Sequence, residues 1–87
     1  MENLKESAEL AAGKLDPKAE VVVICKMLKA RRKDMGLNQK QFAELLGVKP
    51  EYISRIEAGK VDLQLSTLIR LSRGLKLQLI ISPVEGV

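Results

Sequence analysis

The sequence predicts an all-α fold, a bundle of four to five short helices followed by one C-terminal β-strand. Three observations point there. Phe42 and Tyr52 are the only aromatic residues, so the core must be built from Leu, Ile, Val, Met and Ala, which suits packed helices. Apolar residues recur at three- and four-residue spacing in short segments punctuated by glycines. Near the end the period changes to two, in Leu75-Lys76-Leu77-Gln78-Leu79, which is the pattern of a strand. A chain of 87 residues holds one small domain with a modest core.

Each element has its own local reason. Residues 1–15 are weakly amphipathic through Leu4, Ala8, Leu10, Ala11 and Leu15, and read as a short helix or a mobile arm. Asp16-Pro17 starts the first strong helix: Asp is a favoured N-cap, and Pro fits the first helical position, where its missing N–H is not needed. The β-branched run Val21-Val22-Val23-Ile24 pulls towards strand. Helix still wins over about 17–35, because Ile24, Cys25, Leu28 and Met35 continue at helical spacing and Gly36 supplies a stop.

Asn38 caps the next helix, and Gln41 three residues on completes a capping-box pattern. Phe42, Ala43, Leu45 and Leu46 give this helix an apolar face, and Gly47 suits a left-handed cap and a sharp turn. Pro50 opens a third helix that runs to about Ala58, with Ile53 and Ile56 inward and Gly59 as its stop. A fourth covers about 65–73, with Leu65, Leu68, Ile69 and Leu71 inward and Gly74 at its end. The strand that follows stops at Pro83. A lone strand cannot satisfy its backbone groups, so it needs a partner. The same strand of a second subunit is the simplest one. A dimer that shares apolar surface also suits so small a core. The expected organisation is therefore an arm at 1–15, a helical domain at 16–75 and a dimerisation strand at 76–83.

Charge and composition narrow the function classes. Residues 1–24 carry five acids and three bases, net −2, whereas residues 25–87 carry twelve bases and six acids, net +6. Five of the bases fall between Lys26 and Lys33. A basic body fits a polyanionic partner, although a charge run by itself reads equally well as a solvated helix face. The chain has no His and a single Cys, which leaves no metal-ligand set and no nucleophile–base pair. No enzyme, metal or cofactor is expected. Cys25 cannot form an intramolecular disulfide and, in an apolar run, reads as a buried structural thiol. The N-terminus lacks the basic-then-apolar pattern of a signal peptide, and no apolar run approaches a membrane span. A soluble cytoplasmic protein is expected.

Residues 37–59, LNQKQFAELLGVKPEYISRIEAG, read as two short helices around a tight turn, with polar side chains on the outer face of the second. That is a helix-turn-helix, the geometry that seats a helix in the DNA major groove. On the segments GLNQKQFAELLGV and KPEYISRIEAGK, residues 26–75 resemble the Xre/Cro/C1-type repressor family of helix-turn-helix domains. The resemblance implies an all-α bundle of four or five helices, usually dimeric, that binds operator DNA. Ala43 matches the family's small residue where the two helices cross, Gly47 its turn glycine, and Ile53 the apolar anchor of its recognition helix.

The resemblance also implies roles for exposed residues. Gln39 matches a residue that contacts phosphate or base, and Asn38 and Lys60 match backbone-contacting positions. Lys49, Pro50, Glu51, Ser54 and Arg55 match the exposed face of the recognition helix. Arg55 is the best base reader of these on physical grounds, because its fork matches guanine O6 and N7. Glu51 could accept from a cytosine amine. Tyr52 fits a mixed role, half-buried on the domain with its hydroxyl towards a phosphate. Lys49 departs from the family's usual Ser or Thr, giving a weaker cap and an added phosphate contact. Arg32 and Glu57 match the family's ion pair between the first helix and the recognition helix.

The dimerisation residues expected from the strand are Leu75, Leu77, Leu79 and Ile81. This tail resembles the C-terminal strand of HipB-like and HigA-like antitoxins, and the N-terminal extension is similar to that of some HigA-like antitoxins. The resemblance therefore implies an antitoxin that represses its own operon, with an inverted-repeat operator, a homodimer and a ribonuclease-type toxin as partners. A stand-alone phage-type repressor or restriction-modification controller has the same core. A pure protein-interaction module is the other class, and the basic balance and polar recognition face argue against it.

Overall fold

The structure, a computed structural model, describes residues 16–84. Four α-helices are present among them: α1 (Pro17–Asp34), α2 (Gln39–Leu46), α3 (Pro50–Glu57) and α4 (Leu65–Gly74). The arm or helix expected over 1–15 lies outside the described residues.

Local sequence sets most of the helix ends. The Asp16 carboxylate accepts from the Ala19 N–H at 3.0 Å and caps α1. At α2 the capping box is complete. Asn38 Oδ1 accepts from the Gln41 N–H at 2.7 Å, and Gln41 Oε1 accepts from the Asn38 N–H at 2.9 Å. Gly47 then turns the chain with φ 73°, and the Val48 N–H closes onto the Ala43 carbonyl at 3.0 Å. This six-to-one closure lets α3 begin shortly after α2 ends. Any side chain at 47 would hold the left-handed conformation at a cost of about 1–2 kcal/mol.

The core is aliphatic, as a chain with two aromatics requires. Cys25, Leu28, Phe42, Ala43, Ile53, Ile56, Leu71 and Leu75 form its buried centre. On α1 the inward stripe is Val21, Cys25, Leu28 and Arg32, with Cys25, Leu28 and Arg32 buried. α3 contributes Ile53 and Ile56, each 1% exposed. Burial of two such side chains contributes roughly 3–6 kcal/mol, so these two anchors fix the orientation of α3.

Several expected details are corrected. Leu45 is 60% exposed: one turn on from Phe42, it flanks the stripe of Phe42, Ala43 and Leu46 and borders the end of α4 at the rim of the core. Leu65, expected inward, is 62% exposed in the first turn of α4, beyond the edge of the core. Gly74 ends α4 as expected, but as its last helical residue and not in the left-handed conformation. Its missing Cβ serves packing instead: a Cβ there would lie 2.9 Å from Leu46 Cδ2 and 3.3 Å from Phe42 Cε1. The reversal falls on Lys76, at φ 59° the one non-glycine residue with positive φ among the described residues.

The tail also differs from expectation. Leu75 is fully buried and belongs to the core, so it is withdrawn from the dimerisation set. Its N–H is spent on the end of α4, donating to the Leu71 and Ser72 carbonyls. Residues 77–84 form neither helix nor strand within the single chain. Strand pairing across a dimer needs a second chain and is taken up below as a proposal. No described helix is long and apolar enough to cross a membrane.

Candidate nucleic-acid interface

α3 is amphipathic along its whole length. Ile53, Ile56 and Glu57 point into the domain, while Glu51, Ser54, Arg55 and Ala58 are exposed at positions three and four apart. That spacing lines one outward stripe. Lys49 and Pro50 at the start of α3, and Lys60 just past its end, are exposed beside it. The Lys49 side chain makes no cap hydrogen bond, so α3 starts from Pro50 without one. Tyr52 is half-buried and packs against the core. Its body is therefore committed to the domain, and only its hydroxyl end can face a ligand.

The base of α3 is held by a buried ion pair. Arg32 Nε donates to Glu57 Oε2 at 2.6 Å, and Arg32 Nη2 donates to Glu57 Oε1 at 3.0 Å. A third donor, Arg32 Nη1, reaches the Leu37 carbonyl at 2.6 Å. Gln39 Nε2 adds a bond to Glu57 Oε1 at 3.1 Å. One carboxylate thus joins α1, the start of α2 and the end of α3. Glu57 fits this place because the bidentate fork and the amide together satisfy a carboxylate that burial would otherwise penalise.

This network changes the place of Gln39. Its amide is half-buried and tied inward, so it stands at the edge of the outward surface and not fully on it. Asn38 is exposed. Its carbonyl oxygen is used by the capping box, which leaves the amide N–H groups as its remaining donors. Lys49 and Lys60, exposed at the two ends of α3, bracket its outward stripe with positive charge.

Two further arginine interactions carry no signal in the sequence. Arg70 donates to the carbonyl of Leu46, at the end of α2, and Arg31 Nε donates to the carbonyl of Leu75 at 2.8 Å. Each satisfies a helix-end carbonyl that has no helical partner. A basic residue in the last turn of its own helix is a recognised signal. These two reach across to a different helix, and no local pattern announces them.

Cys25 is fully buried beneath this network. Burial pushes its thiol pKa up, and the negative charge of Glu57 adds to the rise. Both effects favour the unreactive thiol. We expect the native protein to resist a thiol reagent such as 5,5′-dithiobis(2-nitrobenzoic acid), reacting only at the rate of global unfolding. A stoichiometric burst in native buffer would contradict the buried placement. Among the described residues, no group of three or more His, Cys, Asp or Glu side chains comes together to hold a metal ion.

Comparison with known proteins agrees with this architecture. The helix-turn-helix family model matches residues 28–80. A Haemophilus influenzae protein described as an uncharacterized HTH-type transcriptional regulator is 41% identical over 64 residues, which cover 74% of this chain and 65% of that one. The chain thus spans somewhat less than two thirds of this relative. The crystal structure of the restriction-modification controller protein C.AhdI from Aeromonas hydrophila superposes with a TM-score of 0.67 at 26% identity, covering 74% of this chain and 93% of that one. Its helices and this chain's thus share one all-α arrangement. With the family model extending from Leu28 in α1 to Ile80 in the tail, and so across the whole reading unit, the chain belongs to the helix-turn-helix family.

Proposed function

We propose that this protein is a sequence-specific DNA-binding transcriptional repressor that acts as a homodimer on an inverted-repeat operator. The observation that carries the reading is α3 itself. Two fully buried isoleucines and the network of Arg32, Leu37, Gln39 and Glu57 hold it rigidly, while its outward stripe offers Glu51, Ser54 and Arg55 to a groove. Lys49, Lys60 and the amide of Asn38 flank the stripe and face phosphates. Phosphate contacts fix the register, and the α3 side chains read base edges. In a two-fold dimer the two α3 helices enter successive major grooves, about 34 Å apart. The regulator role of the Haemophilus relative and the controller role of the structural neighbour support the same reading. Such a protein works beside the chromosome in the cytoplasm.

Binding measured by fluorescence anisotropy against the DNA upstream of its own gene tests the proposal. Affinity should fall steeply with salt, with a slope of about −0.9 for each phosphate neutralised. A single inverted repeat should survive competition by random duplex. Absence of binding to any duplex at low salt would leave a protein-interaction module in its place.

A narrower version makes the protein an antitoxin that represses its own operon, with a ribonuclease-type toxin as second partner. Its support is the likeness of the tail and the N-terminal extension to those of antitoxins. Co-expression with the neighbouring reading frame separates the two versions. A heterocomplex whose second member is toxic when made alone identifies an antitoxin, and a homodimer without a partner identifies a stand-alone regulator.

A further inference from the structure

The tail leaves the domain along a defined path. Lys76 takes the left-handed conformation, its N–H donates to the Arg73 carbonyl, and the Leu77 N–H donates to the Ser72 carbonyl at 2.8 Å. Leu75 is locked in the core, and its carbonyl accepts from Arg31. Beyond that point Leu77 and Leu79 line one groove with Ile24, Met27, Leu28 and Leu68. Ile24, Met27, Leu28 and Arg31 are spaced three, four and seven residues apart, so they form a single stripe along α1. Arg31 is the polar end of that stripe, and the tail begins at Arg31 before crossing its apolar part.

Past Leu77 the backbone has no hydrogen-bond partner among the described residues. Leu79, Ile80, Ile81 and Val84 remain 44%, 70%, 89% and 48% exposed. An apolar segment with open backbone groups and an alternating sequence is a template for another strand. A second copy of the same segment offers the same groups in the same register, which is how a two-fold interface complements itself.

We propose that Arg31 is a positioning residue for dimerisation: by holding the Leu75 carbonyl it fixes the exit of the tail over α1 and presents residues 79–81 to the partner copy. The proposal rests on the reading of the protein as a dimer through its tail. The carbonyl lies at the C-terminus of α4, where the helix dipole is negative, so a cationic donor is favoured there over a neutral one. Together the left-handed Lys76 and the guanidinium of Arg31 remove the rotational freedom that would let the tail swing away from α1. The surface on offer shares no residue with α2 or α3, so pairing leaves the outward stripe of α3 available.

Two measurements on the full chain test this. Sedimentation equilibrium gives the dimer dissociation constant, and methyl NOEs between Met27 and Leu79 report the tail in dilute, monomeric protein. Arg31→Met keeps the length and removes the donor, and Lys33→Met removes an equal charge from an exposed position of the same helix. Arg31→Met should weaken the dimer by about tenfold or more, the size of a missing charge-assisted bond. It should also erase the NOEs, whereas Lys33→Met changes neither. Arg31→Lys, which keeps a cationic donor, should recover most of both and serves as the test if Arg31→Met does not fold. Unchanged NOEs and an unchanged dissociation constant in Arg31→Met overturn the proposal, as does an equal loss in Lys33→Met. If the unaltered protein stays monomeric at every concentration, the dimer reading fails. The NOEs then judge Arg31 alone: their loss in Arg31→Met keeps its hold on the tail, and their survival removes it.

Discussion

Glu57→Ala should destabilise the domain by about 3–5 kcal/mol, the range for removing one partner of a buried ion pair. A domain of this size has a total stability of about 5–15 kcal/mol, so the variant stands near the edge of folding. The loss is large because Arg32 and Gln39 both depend on one carboxylate. Arg32 loses two bonds and keeps its charge inside the protein, and Gln39 loses the acceptor for its amide. Urea unfolding against Glu44→Ala gives the comparison, since Glu44 is exposed on the neighbouring helix. Equal midpoints for the two variants would show that the pair does not hold the fold. Replacing both partners, as in Arg32→Met with Glu57→Leu, should recover part of the loss, because no buried charge is then left alone. The recovery stays incomplete, since the Leu37 carbonyl still loses its donor from Arg32.

Signals that act within about four residues are legible in the sequence. Asp16 before Pro17, Asn38 with Gln41, and Gly47 each fix an end of a helix through bonds to near neighbours. The helical spacing of Cys25 and Leu28 outweighs the β-branched run of α1, because burial of that stripe overrides local propensity. The position of the end of α4 is legible, but the conformation that makes it is not. Glycine is the usual residue for a left-handed cap, yet here Lys76 takes that conformation and Gly74 is needed for close packing with Leu46 and Phe42. The alternation from Leu75 onward has the pattern of a strand. Its first residue is instead drawn into the core beside Leu71, one helical turn earlier, with both side chains buried. The hydrogen bonds that hold the base of α3 and the exit of the tail span 18 residues from Gln39 to Glu57 and 44 from Arg31 to Leu75. No spacing rule reaches that far, so only the folded chain brings them together. The inward pattern of Ile53 and Ile56 is enough to place residues such as Arg55 and Lys60 on the surface. It does not identify their ligand, because exposure alone carries no chemistry.

Arg55→Ala should leave stability within about 0.5 kcal/mol of the parent, since the side chain is exposed and away from the buried network. Its operator affinity should fall by about 1–3 kcal/mol per half-site, the value of a bidentate bond to guanine. A dimer incurs that penalty twice. The decisive readout is therefore the pattern across operator variants and not the overall loss. If Arg55 reads a base, one position in each half-site becomes indifferent while the others keep their preference. If Arg55 touches phosphate, every variant weakens alike, and the salt slope falls by about one for each phosphate that is no longer neutralised. Arg55→Lys sharpens the distinction. Lysine keeps the charge but not the planar fork, so it rescues a phosphate interaction and fails to rescue a bidentate one. Uniform losses in Arg55→Ala with rescue by Lys would move base reading to Ser54 and Glu51, the other polar residues of the outward stripe. Arg55→Ala and Glu57→Ala together probe α3 from its two faces. On the proposed reading the inward face should answer for stability and the outward face for specificity, although Arg55 and Glu57 are only two residues apart.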